Sequence, residues 1–202
     1  MKKCDLERLL RKLCLLMLAA VLLPSYAQTQ IEISQFEVDR SQDEVVLNAQ
    51  LQFELSSAVE DALLKGVPIY FRAEADVLKE RWYWYDKTQT SSARNYKLAF
   101  QPLTRRWRLS MSTGAGSAAG QGLALSQSYD TSAAAMAAVR KISRWRIASG
   151  GDLEPQGKYR LDFKFHLDVS QLPRPFQIGL LGQTDWDLSV LRSQALPLES
   201  PK

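Results

Sequence analysis

The sequence predicts a mostly β protein: an antiparallel β-sandwich with two short helices, preceded by a signal peptide. Beyond residue 30, apolar residues recur at every second position over most of the chain, which is the period of a strand with one buried face. Only two stretches carry the capping residues of a helix. Short polar or glycine- and proline-containing segments separate the strands. This pattern favours a sandwich with helices at its edge, and an open sheet covered on one face is the alternative.

The first 27 residues have the three-part layout of a secretory signal peptide. A segment with net positive charge precedes an eleven-residue apolar run at 13–23, and Ser25 and Ala27 are small residues at the −3 and −1 positions of a cut before Gln28. The apolar run is shorter than the ~20 residues that span a bilayer. An uncleaved anchoring helix is the alternative. We therefore expect signal cleavage between Ala27 and Gln28, and a mature chain in the periplasm.

Cleavage at this position changes the composition of the working protein. Both cysteines, Cys4 and Cys14, lie in the removed segment, so the mature chain has no disulfide, thiolate metal site or cysteine nucleophile. Cleavage removes five of the 26 basic residues and two of the 22 acidic residues. The mature chain keeps 21 basic and 20 acidic residues and is nearly neutral. A broad attraction to nucleic acid is therefore not expected. We expect one β-rich domain over 28–202.

The first predicted elements are a hairpin and a short helix. Strands at 31–39 and 45–55 flank a polar turn, and the apolar phase slips by one residue inside the first strand, which indicates a β-bulge. Ser57 and Glu60 have the spacing of a capping box, and Gly66 stands where a helix would end. A helix is therefore predicted over 58–65.

The remaining elements continue the same alternation. A strand is predicted at 69–77 with extended chain at 81–86, followed by a hairpin turning at 102–104. Asp130 and Thr131 begin a second helix, and the cleanest alternation of the chain follows near its end. The segments are strands 94–101 and 105–112, a flexible loop at 114–122, strand 123–129, helix 132–142, strands 144–148 and 158–169, and a loose tail from about 192.

Residues that could perform catalysis are scarce. The one histidine, His166, falls on the polar side of its strand, where a solvated role is expected. No cluster has the spacing of metal ligands, and no G-x-S-x-G motif is present. The glycine-rich 114–122 segment lacks the Gly-Lys-Ser/Thr ending of a phosphate-binding loop. We therefore predict no catalytic residue, no cofactor and no metal, and we do not expect an enzyme.

Four successive aromatic residues, at 82–85, are the strongest sign of a binding surface. On a strand, Trp82 and Trp84 point to one face, whereas Tyr83 and Tyr85 point to the other. We assign the tryptophans to the core and place a candidate interaction surface on the tyrosines, with Arg81 and Arg94 beside them. A central strand covered on both sides is the structural alternative.

Arginine occurs beside tryptophan or proline in three further places. In 105–108 and 143–146, alternation directs Trp107 and Trp145 inward and the arginines outward, so a solvated face explains both stretches. Arg174 lies between two prolines in 172–176, which forces an extended backbone. That segment is either a crossover between sheets or a presented surface, and Arg174 joins the candidate interaction surface.

The sequence resembles a family of short exported proteobacterial proteins that is catalogued as a domain of unknown function and sometimes labelled proline-rich signal-peptide proteins. The resemblance covers most of 31–190. It implies an envelope protein of a proteobacterium, encoded near a membrane sensor kinase and its response regulator, and it brings no catalytic residues. The stretches that carry it are 64–71 (LKGVPIYF), 81–86 (RWYWYD), 96–98 (YKL), 103–105 (LTR), 172–177 (LPRPFQ) and 185–188 (DWDL).

These observations favour a non-enzymatic binding or interaction module of the cell envelope, with an envelope or inner-membrane protein as its partner. The alternative is an envelope enzyme that acts on glycan or peptide through carboxylates that the sequence does not single out. A deep cleft with convergent carboxylates would favour the enzyme, whereas an aromatic patch or open sheet edge would favour the module.

Overall fold

Two antiparallel β-sheets pack face to face in the computed structural model, which describes residues 31–81, 86–114, 125–174, 176 and 184–197. Within these ranges there are nine strands and two α-helices. The strands are β1 (Glu32–Arg40), β2 (Glu44–Gln52), β3 (Ile69–Lys79), β4 (Lys87–Gln101), β5 (Arg106–Thr113), β6 (Leu125–Tyr129), β7 (Lys141–Ser149), β8 (Tyr159–Leu167) and β9 (Ser189–Ala195). The helices are α1 (Ser57–Leu64) and α2 (Ser132–Arg140). The predicted mostly β, sandwich-like fold with two short helices is confirmed.

The smaller sheet has the strand order β1-β2-β7. β1 and β2 form the predicted hairpin, closed by a hydrogen bond from the amide of Ser41 to the carbonyl of Glu44. The predicted bulge in the first strand is confirmed by a register shift between Ile33 and Gln35. β2 then presents alternate apolar residues to the core, as its sequence indicated.

The larger sheet has the order β6-β5-β4-β3-β8-β9. Its central strands are β4, β3 and β8, and the inward residues of β3 are entirely buried. β4 begins at Lys87, seven residues before the predicted start at 94, because its polar first half pairs with the end of β3 in a continuous hairpin. Backbone pairing, which side-chain alternation does not report, extends this strand.

Phenylalanine rings from both sheets meet in the core. Phe36 of the smaller sheet contacts Phe163 of the larger one, with ring centroids 5.5 Å apart. Phe53 lies 5.7 Å from Phe165, which stacks on Phe71 at 5.8 Å. The prediction that alternate residues of the last clean strand are buried is confirmed, since Leu161, Phe163, Phe165 and Leu167 all lie in this core.

The helix boundaries differ slightly from the prediction. The cap of α1 is Ser56, whose side chain accepts a hydrogen bond from the amide of Val59, so the predicted capping box between Ser57 and Glu60 is wrong by one residue. The predicted stop is confirmed: Gly66 has φ 84°, a left-handed conformation that favours glycine. α1 buries Val59, Ala62 and Leu63.

α2 is capped by Thr131, as predicted, but ends at Arg140 and not at 142. Lys141 is already extended and pairs with Gln50, so β7 starts there instead of at 144. Ile142 is buried opposite Ala49 in this arrangement. Pairing with β2 therefore ends the helix earlier than its alanine-rich sequence indicated.

Residues 192–197 are more ordered than predicted. β9 continues to Ala195 in register with β8, and the amide of Leu196 donates to the carbonyl of Tyr159. Leu196 is buried, so the loose tail predicted from about 192 is wrong over this stretch. None of the helices in the described ranges has the length and apolar character needed to cross a membrane.

Candidate ligand-binding pocket

A cavity of about 420 Å³ opens where β4 and β5 of the larger sheet approach β7 of the smaller one. Three of the residues that line it are arginines, Arg94, Arg144 and Arg146, and a fourth is Trp145. Ser92 and Thr113 add hydroxyl groups. The volume falls in the range of about 300–1,000 Å³ that is typical of small-molecule sites. We call this cavity the arginine pocket.

Arg94 lies at the deep side of the arginine pocket. In the register of β4 it shares the inward face with Tyr96 and Leu98, because inward residues alternate along a strand. The side chain is only 9% exposed, yet it is charged at every physiological pH. Its guanidinium carbon lies 5.1 Å from the centroid of the Trp145 ring, which is a cation–π contact between the two sheets.

Arg94 differs from two other arginines that are tied to the backbone. Arg40 is buried and donates to the carbonyl of Glu154 at 2.7 Å, with Pro155 and Gly157 accepting at 3.5 Å. Arg140 donates to the carbonyl of Phe53. Arg94 donates to no backbone carbonyl among the described residues, and its buried Nε, like that of Arg140, has no hydrogen-bond partner there. Arg40 and Arg140 thus each donate to a backbone carbonyl, whereas Arg94 has no such bond among the described residues.

The charged side chains among the described residues that line the arginine pocket are all positive. No acidic residue is among the described residues that line it, so its lining offers no carboxylate to neutralise the three guanidinium groups. Tyr96, the next inward residue on β4, has a pKa raised by burial, although the guanidinium of Arg94 opposes that change through its charge and through hydrogen bonding. The Tyr96 hydroxyl therefore stays neutral and does not act as a counterion.

The strand that forms the other wall is bulged at the pocket. Between Leu47 and Ala49 the register of β2 against β7 shifts, and Arg144 has φ 45°, in the left-handed region. The side-chain oxygen of Asn48 accepts a hydrogen bond from the amide of Arg144 at 2.8 Å and so holds this conformation. Non-glycine residues seldom adopt it, and such strain concentrates at functional sites. The bulge sets how Arg144 and Trp145 are presented to the cavity.

Side chains of β4 attach β7 to the larger sheet below the pocket. Ser92 donates to the carbonyl of Ile147 at 3.0 Å, and Thr90 donates to the same carbonyl at 3.4 Å. Ile147 lies two residues from Trp145 on the buried side of β7. These bonds hold the two walls of the cavity at a defined separation before any ligand binds.

The residues of the predicted interaction surface do not form one patch. Arg81 is exposed just beyond β3, at the end where Lys79 pairs with Lys87. Arg94 faces the space between the sheets, about 23 Å further along β4 at ~3.3 Å per residue. Arg174 is exposed and follows the far end of β8. Tyr83 and Tyr85 lie outside the described residues, as do Ala27 and Gln28 of the predicted cleavage site and all of the glycine-rich loop after Gly114.

The arginine–tryptophan stretches match the predicted orientation. Trp107 and Trp145 are buried, whereas the arginines on either side of each are exposed. At the second stretch the exposed arginines also line the arginine pocket, which the sequence did not indicate. The sequence did contain a signal for Arg94. This residue is two positions before Tyr96 and four before Leu98, so in a strand with one apolar face it lies on the same, inward face as they do.

His166 lies on the outer face of the larger sheet, as predicted, but it is half-buried and not fully solvated. Burial and the nearby positive charge of Lys164 lower its pKa. Its Nδ1 has no hydrogen-bond partner among the described residues. The same residues contain no group of three or more histidine, cysteine or carboxylate side chains placed to hold a metal ion.

One comparison with known proteins identifies the family. The family model described as "Domain of unknown function (DUF4390)" matches residues 28–195, which is most of the chain. No curated protein matches the chain, and no solved structure does. The matched range begins at the first residue after the predicted signal peptide and ends with β9. The chain belongs to the DUF4390 family of domains of unknown function.

Proposed function

We propose that this protein is an exported, non-enzymatic binding module of the cell envelope, and that its ligand occupies the arginine pocket. The observation that carries the proposal is Arg94, a charged side chain buried between the sheets at a cavity. Its guanidinium carbon lies 5.1 Å from the centroid of the Trp145 ring, and its Nε is unpaired among the described residues. A buried charge without a complete set of partners costs stability. A bound ligand that pairs with it would offset that cost.

Export is supported by the sequence layout of residues 1–27, and the proteobacterial envelope is supported by the family resemblance. A role beside an inner-membrane sensor kinase is likewise supported by the family resemblance. In this proposal the module binds its ligand in the periplasm, and its exposed surface contacts the membrane partner.

The alternative, an enzyme acting on glycan or peptide, needs two carboxylates that converge in a cleft. The arginine pocket is lined by guanidinium and hydroxyl groups, and the described part of its wall carries no carboxylate. This composition suits recognition of a ligand better than proton transfer to a glycosidic or peptide bond. The geometry therefore supports the binding module as the first candidate.

A blocked-pocket variant tests the proposal. Thr113 lines the cavity and its side chain is exposed, so Thr113→Trp should fill the space without disturbing the core. The matched control is Thr104→Trp, in the exposed turn before β5. Immobilised protein is incubated with the small-molecule fraction of a periplasmic extract, and retained compounds are identified by mass spectrometry. We expect at least one compound on wild type and on Thr104→Trp that is lost from Thr113→Trp. If the three proteins retain the same compounds, or none, the proposal fails.

A further inference from the structure

We propose that the arginine pocket recognises an oxyanion group, a carboxylate or a phosphate, carried by a small organic molecule, and that Arg94 is the main binding side chain. This inference rests on the proposed function, since it names the ligand class of the same cavity. It follows from the orientation of Arg94, the charges around it and the size of the space.

The contact with Trp145 fixes the position of the Arg94 guanidinium at the wall of the pocket. A guanidinium that lies over an aromatic ring uses its face for that contact and leaves the N–H groups at its edge for other partners. Two parallel N–H groups at that edge match the two oxygens of a carboxylate or phosphate. A lysine would offer a point charge without this geometry. The Nε of Arg94 is buried from solvent, so the donors that a ligand in the cavity can reach are the terminal N–H groups of the guanidinium.

The two arginines of β7 add charge at the opening. Arg144 and Arg146 are both exposed and both line the cavity. Neither makes an ion pair with a described carboxylate. The amide of Arg144, whose φ is 45°, is held by the side chain of Asn48, which fixes where this arginine leaves the strand.

The size of the arginine pocket indicates more than a bare ion. A cavity of about 420 Å³ has room for an organic body beside the oxyanion group. Trp145 offers that body an apolar wall. The Thr113 hydroxyl can donate or accept a hydrogen bond, whereas the Ser92 oxygen, whose hydrogen goes to the Ile147 carbonyl, can only accept one. A small molecule with one acidic group and a partly polar remainder fits this lining.

The test uses the purified exported protein and defined probes at constant ionic strength. Succinate represents carboxylates, glycerol 3-phosphate represents phosphates, and glycerol is the neutral comparison. Melting temperature and calorimetric titration are measured with each. We expect a saturable rise in the melting temperature with at least one of the two anions and none with glycerol. The anion that binds more tightly identifies the source of the oxyanion.

Four variants locate the binding. Arg94→Gln should lower the affinity for the anion by about tenfold or more, because hydrogen bonds between charged groups are stronger than those between neutral groups. Arg94→Lys should restore only part of the affinity. If Arg94→Gln does not fold, the exposed pair Arg144→Gln with Arg146→Gln should still weaken binding several-fold. Arg108→Gln, an exposed arginine on the outer face of β5 that does not line the pocket, should bind as wild type does.

The result that overturns the inference is an equal response of all variants to the anions, which would indicate a general salt effect, or no response of wild type to either anion. A neutral compound retained in the blocked-pocket experiment, with unchanged affinity in Arg94→Gln, would also refute the oxyanion class. In that last case the binding module itself would stand, so the two proposals fail separately.

Discussion

The guanidinium of Arg94 lies over the indole of Trp145, 5.1 Å from the ring centroid, and this contact joins the two sheets at the wall of the arginine pocket. The pair is formed by residues from different sheets, β4 and β7, and neither strand alone would hold the arginine. It accounts for how a charged side chain can be buried at this position while keeping donors available.

The first prediction contrasts two buried arginines. Arg94→Met should leave the free energy of unfolding unchanged or raise it by up to about 2 kcal/mol, because it replaces an incompletely paired buried charge by an apolar chain. Arg40→Met should lower it by about 2–3 kcal/mol, because the carbonyls of the 154–157 segment lose their donor. Urea unfolding monitored by circular dichroism measures both. Equal losses in the two variants would show that Arg94 is a structural residue.

The second prediction concerns the core between the sheets. Phe163 is fully buried and contacts Phe36, so Phe163→Ala should lower the free energy of unfolding by about 3–5 kcal/mol through lost burial and a cavity. With no cysteine after residue 27, no disulfide compensates for this loss. Lys164→Ala, the next residue on the exposed face, should change it by less than about 0.5 kcal/mol. Thermal and urea melts compare the two, and a small effect of Phe163→Ala would contradict the described packing.

The third prediction concerns the strained bulge. Arg144→Gly should raise the free energy of unfolding by about 1 kcal/mol, because a left-handed φ is unfavourable for residues with a side chain. Arg146→Gly, which has no such strain, should lower it by about 0.5–1 kcal/mol. Asn48→Ala removes the oxygen that accepts the hydrogen bond of the Arg144 amide, so it should lower the free energy of unfolding by about 1 kcal/mol. Chemical denaturation provides the values, and a loss of stability in Arg144→Gly would refute the strain.

The fourth prediction is a pH dependence that arises from His166. Its pKa is lowered in the folded protein by burial first and then by Lys164, while Glu74 and Asp168 act in the opposite sense and Arg72 adds positive charge. The unfolded chain therefore takes up the proton before the folded one does. Stability should fall as the pH decreases below about 6.5 and level off below the folded pKa.

The measurement is a series of urea unfolding curves between pH 7.5 and pH 5. Histidine side chains titrate in this range, and His166 is the one histidine of the chain. His166→Gln should make this part of the curve flatter. Burial alone would raise the pKa of Asp168, but hydrogen bonds from Ser170 and Gln171 to its carboxylate outweigh that effect and lower the pKa. Asp168 therefore affects the free energy of unfolding only at more acidic pH. An unchanged slope in His166→Gln would exclude histidine as the cause.

The fifth prediction is the site of cleavage. Mass spectrometry of the protein isolated from the periplasm of its own host should find an N-terminus at Gln28, because Ser25 and Ala27 supply the small residues that signal peptidase requires. Substituting Ala27 by a large residue should slow processing and retain the precursor at the membrane. An intact Met1 form in the cytoplasm would refute export.

The sequence alone was enough for the fold class and for most element positions. Alternation of apolar residues identifies a strand whenever one of its faces is buried, which is why β2, β3, β8 and the orientation of Trp107 and Trp145 were predicted correctly. Gly66 marked the end of α1 because a left-handed residue is needed there. The family was also recognisable from its local motifs, and the family model over 28–195 confirms it.

Tertiary structure decided the strand boundaries that depend on pairing and the place of the candidate site. The early start of β4, the short α2 and the extension of β9 to Ala195 come from backbone hydrogen bonds with neighbouring strands, which leave little trace in side-chain order. Arg94 is separated from the adjacent residues Arg144 and Trp145 by about 50 residues of chain. Their meeting depends on how the two sheets stack and on the bulge held by Asn48, because a pocket between sheets is a property of packing and not of any single strand.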